Sequence, residues 1–78
     1  MARSTNPRAA SAKTRAKRVL AALVEHFEFD EADAAAALTD LLADARHFCD
    51  RFGLCYGDLD RTAHRHYLAE LEEDGRVT

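Results

Sequence analysis

Seventy-eight residues, 47% of them apolar, with a formal net charge of −3, allow one domain and little more. A chain this short buries a small share of its unfolded surface, so a generous self-contained core is excluded without idealised helices, a metal, disulfides or a partner. No apolar stretch reaches the length of a membrane span, and the basic start is not followed by the apolar run of a secretory signal, so a cytoplasmic protein is expected.

Residues 1–12 read as a flexible basic arm. They hold no large apolar residue after Met1, and Pro7 biases Asn6 away from helix. Arm and first helix together carry Arg3, Arg8, Lys13, Arg15, Lys17 and Arg18 with no acid through residue 18, whereas the rest of the chain sets all 14 acids against five basic residues. A basic arm on an acidic body is therefore the electrostatic asymmetry to explain.

The single helical domain is expected over 13–75. Ser11 can cap a first helix over about 13–27, where Ala16, Val19, Leu20, Leu23, Val24 and Phe27 recur at three- and four-residue spacing. Asp30 is a second N-cap, with Glu31 and Asp33 placing negative charge in the first turn of a helix over about 31–52. Ala34, Ala37, Leu38, Leu41, Ala45, Phe48 and Phe52 give this helix its apolar stripe, and Gly53 followed by Leu54 suits a left-handed, Schellman-type ending. Asp58 is expected to cap a third helix over about 59–73, with Leu59, Ala63, Tyr67 and Leu71 stacked and Gly75 stopping it. Nothing alternates with a period of two. The prediction is an all-α, three-helix arrangement, completed by a homodimer if the small core needs one. Much of the apolar share is alanine, which favours helix yet buries little area.

Four surfaces can carry function. Asp40, Asp44, His47 and Arg51 are spaced to project from one line of the second helix, and with His66 and Glu70 of the third they can be drawn together around a divalent metal, since imidazole and carboxylate suit such ions. The plainer account is ordinary helix-surface pairing of acids with His or Arg three or four residues on. His64-Arg65-His66-Tyr67 offers a histidine as a base or pH-sensitive contact, with His66 expected on the inner side of its helix and His64 outside, yet no nucleophile is arranged with it. The basic set Arg3, Arg8, Lys13, Arg15, Lys17 and Arg18 can neutralise phosphates or an acidic partner, although the acidic remainder opposes a duplex. Finally, Asp58, Asp60, Glu72, Glu73 and Asp74 can meet a basic groove on a partner, with solubility as the alternative. Cys49 and Cys55 lack C-x-x-C spacing and read as reduced, partly buried thiols.

One composite pattern runs through residues 38–70: Leu38-Thr39-Asp40-Leu41-Leu42-Ala43-Asp44-Ala45-Arg46-His47-Phe48, then Gly53-Leu54, then Ala63-His64-Arg65-His66-Tyr67-Leu68-Ala69-Glu70. It resembles a group of short helical proteins of phages, plasmids and bacterial genomes that share a D-L-L-x-D-x-x-H helix and a later H-Y/F-x-x-E helix. The resemblance implies a mobile-element setting rather than an activity, and it singles out Asp40, Asp44, His47, His66 and Glu70. In the intervening loop that group usually carries an aspartate, where Cys55 and Gly57 stand here.

The leading expectation is a non-enzymatic helical binding or regulatory protein acting on a macromolecular partner, for example an inhibitor of a host defence or nucleic-acid-processing complex such as an anti-CRISPR. Its motives are the small core, the charge split and the lack of a complete catalytic set. The competing expectations are a metal-binding protein or metal-dependent hydrolase using the Asp/His/Glu group, with the divalent ion as its cofactor, and nucleic-acid binding through the basic arm.

Overall fold

The computed structural model describes residues 11–73. They form three α-helices and one 3-10 turn: α1 (Ala12–His26), the turn Glu31–Asp33, α2 (Ala34–Phe52) and α3 (Tyr56–Glu73). No strand occurs among the described residues, so the chain is all-α with three helices as expected. The arm at residues 1–10 and the end beyond Glu73 lie outside the described residues.

Each helix starts and stops for a local reason. Ser11 has extended backbone and its Oγ accepts from the Thr14 N–H, so it caps α1, which begins one residue before the expected 13. The second helix does not run unbroken from residue 31. The Asp30 carboxylate accepts from the Ala32 N–H and that of Asp33 from the Ala36 N–H. Two caps three residues apart compete for the same stretch of backbone donors, leaving Glu31–Asp33 as a 3-10 turn before α2 begins. Gly53 ends α2 in the left-handed region at φ 69° and ψ 31°, and both its own N–H and that of Leu54 donate to the Cys49 carbonyl.

The third helix begins earlier than Asp58 suggested. It starts at Tyr56, and Asp58 lies in its first turn, where its carboxylate pairs with Arg61 instead of capping. The Arg46 guanidinium stands 4.2 Å from the centroid of the Tyr56 ring, which ties the start of α3 back to α2.

Packing is the largest departure from the sequence reading. Among the described residues only Leu23, Ala37 and Cys49 are buried. α2 contacts both other helices, and along it Ala37 and Cys49 are buried and Leu41 and Ala45 half-buried. The remaining members of the expected stripes stay outside: Val19, Leu20 and Val24 on α1, Leu38, Phe48 and Phe52 on α2, Leu59 and Tyr67 on α3. Phe27 and Leu71 are half-buried. Small side chains let the helices touch, and the large ones are then left on either side of the contact.

Candidate interaction surface

The residues foreseen as a metal group are not gathered. Asp40, Asp44 and His47 are exposed on α2, while His66 and Glu70 belong to α3. Among the described residues no group of three or more His, Cys, Asp or Glu side chains is placed to hold a metal ion. Glu70 instead receives Arg15 of α1 at 3.1 Å, with side-chain exposures of 31% and 21%. That pair joins a residue expected in the metal group to one expected in the basic surface. It sets the first half of α1 against the last half of α3, a contact between residues 55 positions apart that no local spacing rule could reveal.

The histidines also differ from expectation. Both His64 and His66 are exposed, so His66 is not an inner packing residue. It is His64 whose ring stacks beside Tyr67, with centroids 6.4 Å apart and planes at 29°. His66 lines a shallow groove with Ala69, Glu70 and Glu73. A second groove, between α1 and α3, is walled mainly by apolar atoms of Ala16, Val19, Tyr67 and Leu71.

Of the basic set, Lys13, Lys17 and Arg18 are exposed on α1, and Arg15 is half-buried in its pair with Glu70. Arg3 and Arg8 lie outside the described residues. Of the acidic set, Asp58 is held by Arg61, Asp60, Glu72 and Glu73 are exposed, and Asp74 lies outside the described residues. Both thiols are free: Cys49 is buried and Cys55 is exposed, so neither shows the expected partly buried state.

What sequence reasoning missed is the size of the apolar surface. Eleven large apolar side chains of the described residues are exposed, on all three helices, led by Val24 at 61%, Phe52 at 60% and Phe48 at 56%. The two phenylalanines contact each other, with ring centroids 4.6 Å apart and planes at 36°, and the Arg51 guanidinium stands 5.7 Å from the Phe52 ring centroid. They sit at i+7 and i+11 from Leu41, on the same helix face as the buried line, yet stay outside while Cys49, between them in the sequence, is buried. The available signal was the alanine content: with Ala37 and Ala45 at the contact, the bulky neighbours have little to bury against.

No helix among the described residues is long and apolar enough to cross a membrane. Comparison with known proteins returns no match, whether to a family model, a curated protein or a solved structure.

Proposed function

We propose that this chain is a small helical binding protein that acts on a macromolecular partner, without catalysis of its own. The observation that carries the reading is the exposed apolar surface: among the described residues, eleven large apolar side chains stand outside against three buried residues. Soluble monomers rarely leave so much of their helical stripes uncovered, and contiguous apolar surface rimmed by charge marks places where another macromolecule docks. Exposed Lys13, Lys17 and Arg18 on α1 and the acids of α3 supply charges of both signs for steering such an encounter. A mobile-element origin, with a host complex as the target, rests on the resemblance of residues 38–70 alone.

The test is reciprocal capture from the cells that make the protein. Tagged chain is expected to co-purify with one macromolecular partner at near-equal stoichiometry. The partner, tagged in turn, is expected to return the chain. Replacing exposed Val24 or Leu68 by Glu should reduce recovery at least tenfold while helicity by circular dichroism is unchanged. Purification that returns only copies of this chain, in both wild-type and variant form, would sink the reading.

A further inference from the structure

We infer that the α2–α3 corner is a two-fold interface between copies of this chain, built on Phe48, Phe52, Leu54 and Leu59. Three observations converge there. The first is that the last turns of α2 bury Cys49 and leave their large apolar side chains outside. Phe48 and Phe52 continue the phase of Leu41 and Ala45, yet they are 56% and 60% exposed and touch one another. Leu54, brought back toward the helix end by its N–H bond to the Cys49 carbonyl, and Leu59 in the first two turns of α3 are exposed as well. All four lie within twelve residues around one turn, where Gly53 fixes the chain reversal.

The second is the amount of surface. With ordinary side-chain areas, the four expose on the order of 400 Å² per copy, and if apolar atoms make up about 65% of a homodimer interface, the patch extends to about 600 Å². Two such patches bury on the order of 1,200 Å² in total, the lower edge of a specific, stable interface. A chain with three buried residues among those described gains most from a partner that is present whenever it folds, and a second copy is the one partner that always meets this condition.

The third is charge. The corner from Arg46 to Arg61 holds Arg46, Arg51 and Arg61 against Asp50, Asp58 and Asp60, so it is balanced within a chain that is otherwise basic at one end and acidic elsewhere. An isologous contact meets its own image, so every residue must suit its two-fold mate. A balanced rim does so, because Arg51 of one copy can pair with Asp50 or Asp60 of the other, and each pair forms twice. A nucleic acid or a strongly basic protein would instead be served by a rim of one sign.

The inference shares with the binding reading only the assignment of exposed apolar surface to a partner, and the two can fail separately. The experiment is sedimentation equilibrium of the full chain, without additions, from about 1 to 100 μM, joined to thermal melting over the same range. The expected result is a species of twice 8.7 kDa at the upper end. Tm is expected to rise by several degrees per tenfold increase in concentration, as linkage to dimerisation requires. Phe52→Glu should weaken self-association at least a hundredfold, whereas Leu68→Glu, on α3 outside the corner, should leave it within about threefold. An 8.7 kDa species throughout, with melting independent of concentration, overturns the inference. So does a dimer that Phe52→Glu leaves intact. If Phe52→Glu does not fold, the melting series of the unaltered chain still decides whether the chain dimerises. A Cys55–Cys55 cross-link between copies, captured with a short bis-maleimide and absent in Cys55→Ser, then tests the corner, and failure to form it at dimer-saturating concentration also overturns the assignment.

Discussion

Two sets of residues on the apolar face of α2 meet opposite fates. Along one line, Ala37 in the first turn and Cys49 in the last are buried and Leu41 and Ala45 between them half-buried, with small side chains at three of the four positions. Beside Cys49, Phe48 and Phe52 carry far more apolar area and remain outside. Hydrophobicity selects the face, but burial requires an opposing element, and whatever covers Cys49 does not cover the two phenylalanines that flank it. Residues that were equivalent by periodicity thus become two kinds: one that holds the fold together and one that is available to a partner.

The sharpest way to break this comparison is to truncate one side chain of each kind at the same protein concentration. Leu23 is the only large side chain buried among the described residues, and Leu23→Ala is expected to cost about 2–5 kcal/mol, enough to unfold so small a domain. Its neighbour Val24, 61% exposed, should change stability by no more than about 0.5 kcal/mol on replacement by Ala. Urea unfolding followed by circular dichroism reads both, and similar losses at the two positions would show that the described core is not the stabilising one.

A smaller effect is expected where α2 meets the turn. Gly53 adopts φ 69°, a backbone region that costs a side-chain-bearing residue roughly 1–2 kcal/mol, although no atom lies within 4 Å of an added Cβ. Gly53→Ala should therefore lower the urea midpoint through backbone strain alone, and Gly53→Asn, better tolerated in that region, should recover part of the loss.

The Arg15–Glu70 pair ranks lower. A double-mutant cycle with Arg15→Ala and Glu70→Ala is expected to give a coupling of roughly 0.2–1 kcal/mol, falling as salt is raised from 50 mM to 1 M. A coupling above that range would make this long-range contact a principal determinant of how α1 sits on α3. The smallest effect concerns the Asp40, Asp44, His47, His66 and Glu70 group. With no three of these side chains brought together, Zn²⁺ or Mn²⁺ at tenfold excess should leave Tm unchanged within about 1 °C. A rise that Asp44→Ala and His47→Ala abolish would instead support the metal reading.

Local chemistry was largely legible before any coordinates. Ser11 as a cap, Gly53 as the left-handed stop and Leu54 as its Schellman partner follow from side-chain oxygen, missing Cβ and hydrogen-bond spacing, and stand as read, whereas Asp30 caps the 3-10 turn rather than α2. Asp58 misled because an aspartate suits both the cap and the first turn, and its pairing with Arg61 resolves the choice in favour of the turn. Asp33 was read as a first-turn acid and acts as a second cap, which divides the helix expected from residue 31.

The sequence by itself determined that this protein is all-α, has three helices and presents an apolar stripe on each, because helix periodicity and capping are properties of neighbours along the chain. Only the tertiary structure decided which parts of those stripes are spent inside. That outcome depends on how three short helices pack, and among the described residues they bury Leu23, Ala37 and Cys49 and leave Phe48 and Phe52 exposed. It also decided that Glu70 answers Arg15 across the molecule rather than joining the carboxylates and imidazoles of α2, since a pairing 55 residues apart is set by packing and not by spacing.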